Sequence, residues 1–348
     1  MAGTGTAHLR AADASLLRAE NLVVEFPAGG RAKVHAVSGI SLDVLPGETL
    51  GLVGESGCGK STTGRAVIQL PPPTSGTVHF DGDELTALHG NDLRAVRPKM
   101  QMIFQDPVSS LNPRRKVGDI VAEGLDIWKR TDARDERVDE MLATVGLDPA
   151  TARDRRPHEF SGGQCQRISI ARALITEPKL VICDEPVSAH DVSVQAQILN
   201  LLADMKARYG LTLVFIAHDL AVVKNVSDRV AVMYLGKLCE VAPPDVLYAR
   251  PAHPYTAALL ASIPEPDPTR RSDARAEGAA AAVAPLGGEI PSPTHTPSGC
   301  RFRTRCPRAQ AVCAEEEPVL RPAPVPMGQE AAAAGQYVAC HFPLSEDR

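Results

Sequence analysis

Residues 54–61 read Gly-Glu-Ser-Gly-Cys-Gly-Lys-Ser, the pattern G-x-x-x-x-G-K-[ST]. Glycines at this spacing let successive backbone N–H groups curl round a phosphate with no Cβ in the way. A helix starting behind them turns its positive dipole end toward the same anion. Lys60 can then reach the β- and γ-phosphates of a nucleotide, and Ser61 can offer its hydroxyl to Mg²⁺. The candidate nucleotide-binding residues are therefore Gly54, Glu55, Ser56, Gly57, Cys58, Gly59, Lys60, Ser61 and Thr62. A second element matches the first. Leu180–Glu185 (LVICDE) is an apolar run ending in two carboxylates. A strand there delivers Asp184 to its C-terminal end, where α/β sheets place ligands. Asp184 suits Mg²⁺, and Glu185 suits the polarisation of a water attacking the γ-phosphate.

These residues need elements to hold them. Thr49–Val53 (TLGLV) is short, apolar and followed at once by glycines, as a buried strand entering a loop would be, and TTGRAVIQL after Ser61 is compatible with a helix. Upstream, LRAENLVVEF (17–26) and the alternating ISLDV (40–44) suggest antiparallel strands, and VHF and KMQMIF suggest a hairpin and a further strand. Residues 107–180 are mostly helical by apolar spacing. A strand at 181–183, an amphipathic helix at 194–209, a strand at 211–217 and a helix from Asp219 complete the alternation. That pattern predicts a parallel α/β sheet preceded by antiparallel strands.

The ends of the sequence differ in composition. Residues 1–15 are small and polar and are expected to be disordered. Residues 263–298 carry seven prolines (Pro264, Pro266, Pro268, Pro285, Pro291, Pro293, Pro297) and the Ala279–Ala284 run, which is linker composition. A small Cys- and Arg-rich module is expected at 299–343, after a main domain at 16–262.

Composition excludes several function classes. Lys+Arg is 37 against Asp+Glu 42, a net charge of −5, which does not favour a basic nucleic-acid binder. One Trp, five Tyr and seven Phe are too few for a surface that stacks bases. No apolar run approaches the ~20 residues of a membrane span, and residues 1–15 hold no continuous apolar segment of a secretory signal. Cys58, Cys165, Cys183 and Cys239 are scattered, as free thiols in a reducing compartment are.

Phe160-Ser-Gly-Gly-Gln164 resembles the signature of ABC-transporter nucleotide-binding subunits, and further motifs follow in that family's order. Gln105 after MQMIF resembles the Q-loop glutamine, Ser188-Ala-His-Asp191 the D-loop, and His218 the switch histidine. At a helix start, Ser161, Gly162, Gly163 and Gln164 offer N–H and O–H donors to a γ-phosphate. The resemblance implies that they serve ATP held by a partner subunit, so that hydrolysis needs a dimer. QMIFQDPVSSLNPR, PHEFSGGQCQRISIARAL, VICDEPVSAHDVSVQAQILNLL and HPYTAALL look like the oligopeptide/dipeptide permease ATPases of the OppF/DppF type. This implies a RecA-like P-loop α/β core with an antiparallel β subdomain and a helical subdomain at about 106–170. It also implies an ATPase powering peptide import at the cytoplasmic face of the membrane. The implied partners are a second ABC ATPase subunit, two transmembrane permeases and an extracytoplasmic peptide-binding protein, with no nucleic acid. The alternative function is a soluble ABC-type ATPase uncoupled from transport. Catalytic roles fall on Glu185, His218 and Gln105. Mg²⁺ falls to Ser61, Gln105 and Asp184, and Asp191 joins the nucleotide contacts.

Two positions depart from the family pattern. The D-loop has His190 where S-A-L-D is usual, read either as a tolerated surface substitution or as altered coupling between two ATP sites. The aromatic expected on adenine is usually Tyr. Phe26 is the best match, with a core residue at a strand end as its other reading.

Cys300, Cys306, Cys313 and Cys340 form a four-thiol set in a module too small and polar to fold on apolar burial alone. Four thiolates suit an iron–sulfur cluster or tetrahedral Zn²⁺. The resemblance implies [4Fe–4S], with Zn²⁺ as the alternative and free thiols or disulfides as the remaining readings. Arg301, Arg303, Arg305 and Arg308 around them either neutralise thiolate charge or form a solvated face.

Overall fold

The computed structural model describes residues 4–30, 32–188, 191–263, 288–324 and 335–344. The strands are β1 (Leu17–Pro27), β2 (Lys33–Val44), β3 (Thr49–Val53), β4 (Ser75–Phe80), β5 (Asp83–Glu84), β6 (Met100–Ile103), β7 (Leu180–Asp184), β8 (Thr212–Ala217), β9 (Arg229–Tyr234), β10 (Lys237–Ala242), β11 (Arg321–Pro322) and β12 (Tyr337–Val338). The helices are α1 (Lys60–Val67), α2 (Gly90–Val96), α3 (Pro107–Ser110), α4 (Val117–Ile127), α5 (Arg134–Thr144), α6 (Pro149–Ala152), α7 (Gly162–Leu174), α8 (Val192–Tyr209), α9 (Leu220–Val226), α10 (Pro244–Ala249), α11 (Pro254–Ala261) and α12 (Val312–Glu315). Contacts divide the chain into two units. One holds residues 1–45, 50–86 and 218–348, and the other 46–49 and 87–217.

In the first unit an antiparallel sheet runs in the order β2-β1-β4-β5, with Leu17 opposite both Val44 and Phe80. These three side chains are fully buried. Beside it stands the order β11-β12-β10-β9-β3. Parallel pairing from Leu50↔Arg229 to Val53↔Val232 joins β3 to β9. The β9–β10 hairpin closes through Leu235 and Gly236, at φ 43° and 79°. Two consecutive positive φ values are what a two-residue turn between right-twisted strands demands. Sequence patterning did not single out this hairpin.

In the second unit β6, β7 and β8 are parallel neighbours in the order β8-β7-β6, from Leu180↔Thr212 to Asp184↔Ile216 and from Met100↔Leu180 to Ile103↔Cys183. Every residue of β7 and β8 is buried, which is why both read as continuous apolar runs rather than alternating ones. Helix α4 buries Val117, Ile120, Val121 and Leu125 on one stripe and packs on α5 and α7.

Two expectations need correction. Residues 4–15 are not disordered. The Thr4 N–H donates to Gly39 O at 2.8 Å, His8 Nε2 lies 2.8 Å from Ser41 O, and Arg10 Nε donates to the buried Asp43 carboxylate at 2.6 Å. Their polar groups satisfy backbone along β2, so they order without an apolar pattern. The C-terminal residues likewise do not form a separate module, since they belong to the first unit. Here β12 pairs with β10 (Glu240↔Val338), Ala339 N donates to Cys239 O at 2.8 Å, and His35 N donates to Pro293 O at 3.0 Å.

Glu240, fully buried in β10, holds this junction. Its carboxylate accepts from the N–H groups of Ala252 and His253, each at 2.9 Å, and from Gln336 Nε2 at 2.8 Å. Burial raises its pKa and these donors oppose the rise. Replacing it by Leu orphans three buried donors, so Glu240→Leu is expected to cost about 3 kcal/mol. Urea unfolding of the full chain would read this as a lower midpoint with Glu240→Gln in between; an unshifted midpoint would contradict it.

Candidate functional site

Residues 54–59 loop between β3 and α1. Gly54, Gly57 and Gly59 have φ of 152°, 78° and 105°. A Cβ at Gly54 would come within 2.1 Å of Met233 O, and one at Gly59 within 2.1 Å of Ala36 O. Glycine is needed here for space as well as for dihedral freedom. Gly59 is the N-cap of α1 and has no side chain to cap it, so the positive end of the helix opens directly onto the loop. Lys60 is 4% exposed, and its ammonium donates to Gly54 O at 2.8 Å and Glu55 O at 3.1 Å. The lysine thus lies across the mouth of its own loop. Behind it, the Cys58 thiol is buried and its pKa is pushed up to about 11, so it is a neutral packing group. Cys58 O accepts from Gly236 N at 2.8 Å, which rests the loop on the β9–β10 turn. Loop curvature, glycine cradle and helix start suit an anionic phosphate chain.

The second unit positions the carboxylates. Asp184, fully buried, ends β7. Glu185 follows at φ 46°, in the left-handed region that a non-glycine residue enters only when its surroundings hold it there. Three bonds to its backbone hold it: its N–H donates to Ile216 O at 3.0 Å, and its carbonyl accepts from Ser188 N at 3.3 Å and Ser188 Oγ at 3.2 Å. The Glu185 carboxylate accepts from Gln105 Nε2 at 3.1 Å. Gln105 lies just past β6, immediately before Asp106, whose carboxylate caps α3. Two residues 80 positions apart in sequence, both singled out for catalysis, are therefore in direct contact.

Ser161 caps α7 in a reciprocal box. Its hydroxyl accepts from Gln164 N at 3.3 Å and its N–H donates to Gln164 Oε1 at 3.0 Å. Ser161, Gly162 and Gln164 are exposed, and a Cβ at Gly163 would meet Val194 at 2.9 Å. Asp191 starts α8 and its carbonyl accepts from Gln195 N at 2.9 Å. His190 lies outside the described residues. His218 is exposed one residue before Asp219, the cap of α9. Phe26 sits at the end of β1, 37% exposed, so it is a surface ring and not a core residue.

Two contacts were not foreseen. Tyr255 OH accepts from Glu55 N at 2.9 Å, and Arg305 forms a two-bond ion pair with the Glu55 carboxylate. The HPYTAALL segment was a visible signal for the first; His253 Nδ1 in it accepts from Tyr255 N at 3.0 Å. Burial lowers the His253 pKa to about 3, so it is neutral.

The four C-terminal thiols are free of disulfides, and they sense one another electrostatically. Burial first, and then the neighbouring thiols, push Cys300 up to about 11 and Cys340 up to about 12. Among the described residues, however, no group of three or more His, Cys, Asp or Glu could hold a metal ion. The geometry therefore does not support the expected cluster at Cys300, Cys306, Cys313 and Cys340.

Residues 37–188 match the family model described as ABC transporter, and residues 239–313 the one described as the C-terminal region of oligopeptide/dipeptide transporters. The oligopeptide transport ATP-binding protein OppF of Salmonella typhimurium is 54% identical over 291 residues, 82% of this chain and 84% of that protein. The putative oligopeptide transport ATP-binding protein YkfD of Bacillus subtilis is 49% identical over 330 residues, 94% of this chain and 95% of that one. Among solved structures, the ATP-binding cassette MJ0796, in a dimeric post-hydrolysis state bound to ADP and Pi, superposes with a TM-score of 0.60 at 27% identity, covering 66% of this chain and 98% of that one. The structure of cbiO1 from Clostridium perfringens gives 0.60 at 30% identity, covering 68% and 91%.

The loop contacts predict a sharp effect at Gly59. A Cβ there cannot be accommodated without moving the Ala36 carbonyl, so Gly59→Ala should weaken nucleotide binding at least about a hundredfold. Calorimetric titration of the folded variant with Mg·ATP reads this, and an affinity within threefold of wild type would refute it.

Proposed function

The chain belongs to the ATP-binding subunits of the oligopeptide/dipeptide ABC transporters, and on that premise we propose how its residues divide the work of hydrolysing ATP to drive peptide import. The observation that carries the reading is the glycine cradle, two of whose members approach neighbouring carbonyls to distances no side chain tolerates. Residues 54–62 hold the phosphates, with Lys60 exchanging its loop carbonyls for phosphate oxygens. Ser61, Gln105 and Asp184 are the oxygen donors for Mg²⁺, which neutralises phosphate charge when bound. Glu185 orients and polarises the attacking water, and His218 assists at the γ-phosphate. The Gln105 bond to Glu185 supports this assignment, because the amide donor fixes the direction in which that carboxylate is aimed. Phe26 offers an exposed π-face for adenine.

Ser161, Gly162, Gly163 and Gln164, with Asp191, complete a nucleotide site on a second ATPase subunit. The exposure of Ser161, Gly162 and Gln164 at a helix start supports this role. No helix among the described residues is long and apolar enough to cross a membrane. Attachment to the cytoplasmic face then comes through two permease subunits, with an extracytoplasmic binding protein delivering peptide. The match of residues 239–313 to the peptide-transporter C-terminal region supports this over a soluble ATPase uncoupled from transport.

For the C-terminal cysteines the finer reading is a [4Fe–4S] cluster, with Zn²⁺ as the alternative. It is supported by donor chemistry alone: four free thiols within electrostatic reach of one another. The arrangement of the thiols does not favour it, so it stands only if anaerobically purified protein carries about four irons per chain, lost when any of Cys300, Cys306, Cys313 or Cys340 becomes Ser. Stoichiometric zinc, or no metal, would reject the cluster.

In the assembled transporter, Glu185→Gln should retain ATP binding and lose hydrolysis by at least about a hundredfold. A steady-state phosphate-release assay showing turnover within threefold of wild type would place the general base elsewhere.

A further inference from the structure

Glu55 is a carboxylate inside a loop built for a polyanion. Its peptide is held on both sides: Tyr255 OH accepts from its N–H, and Lys60 donates to its carbonyl. Its side chain meets Arg305, whose Nη1 and Nη2 donate to the two carboxylate oxygens at 2.7 and 3.1 Å. The Arg305 side chain is only 4% exposed, and its guanidinium lies 5.8 Å from the centroid of the Tyr234 ring. This is a planar fork on a planar acceptor, sheltered from water.

The segment that delivers Arg305 is itself anchored. Phe302 is buried against Tyr234 and Tyr255, with ring centroids 5.2 and 5.3 Å away. Arg301 donates to Leu235 O in the β9–β10 turn, beside the Gly236 that donates to Cys58 O. Residues 301–305 therefore grip both the phosphate loop and the turn beneath it. All these residues lie in one unit.

We propose that Arg305 is a positioning residue for nucleotide binding, acting through Glu55. It cancels the one negative side chain of the phosphate loop and fixes the Glu55 peptide on which Lys60 rests. Without it, the Glu55 carboxylate is left uncancelled in a loop that must take a triphosphate, and repels it. The C-terminal segment thereby sets the affinity for Mg·ATP, whatever the four cysteines hold. The inference rests on residues 54–61 being the nucleotide site.

The test is calorimetric titration of the full chain with Mg·ATP, with thermal unfolding as the check of folding. Arg305→Ala should weaken binding about tenfold. Adding Glu55→Gln to that variant should recover most of the loss, because the uncancelled charge is gone. A merely structural role for Arg305 would give no such rescue. Arg305→Lys, which keeps the charge without the fork, should fall between. If Arg305→Ala does not fold, Arg305→Gln with and without Glu55→Gln supplies the same comparison. An affinity within twofold of wild type in the folded Arg305 variant, or no recovery on adding Glu55→Gln, overturns the proposal. Lys60→Ala separates the two failures: if that variant still binds Mg·ATP as wild type does, the loop is not the nucleotide site at all.

Discussion

Backbone packed on backbone at Gly54 and Gly59 is the constraint on which the rest of the site depends. The loop is pressed against the carbonyls of Met233 and Ala36, so its path is set by β9 and β2 and not by its own side chains. Met233 sits one residue before the end of β9, whose hairpin turn donates from Gly236 to Cys58 O. The N–H donors of the loop are consequently fixed before any phosphate arrives. Donors fixed in advance need no reorganisation at the moment of binding, which makes each worth more than a mobile one. The buried Cys58 thiol and the Tyr255 hydroxyl fill the space behind and seal the arrangement.

The second unit pays for its chemistry in conformation. A left-handed glutamate after a fully buried strand is not a choice that local preference makes. Neighbouring backbone bonds hold Glu185 there, and the result is a carboxylate turned toward Gln105. Functional sites are where local rules are broken and the surrounding fold compensates.

Much of this was legible in the residues themselves. The phosphate loop and the Asp184–Glu185 pair carry a spacing that chemistry demands, Gln105 and the signature at Ser161 were readable only through their resemblance to ABC-transporter subunits, and strand β7 announces itself as an unbroken apolar run. What was not legible lies in long-range contacts. Residues 4–15 order because β2 offers backbone partners, and nothing in their own pattern encodes that. Strands β11 and β12 have two residues each, too short for any period to show. Arg305 looked like one arginine among four near cysteines, since its partner is 250 positions away. The cysteine set shows the converse: donor identity was readable, but the arrangement of the thiols was not.

The pairing of β12 along β10 has a consequence for solubility. Without it, Glu240 and Val241 of the buried strand β10 would present open N–H and C=O groups on the side away from β9, the start of a template onto which another chain could add. With β12 laid on β10 and β11 on β12, the outermost strand is Arg321–Pro322, exposed, charged at its first residue and lacking an N–H at its second. Such a border offers an intruding strand almost no ladder to climb. The C-terminal residues thus act as a selvedge, finishing the sheet so that copies of the protein do not knit together.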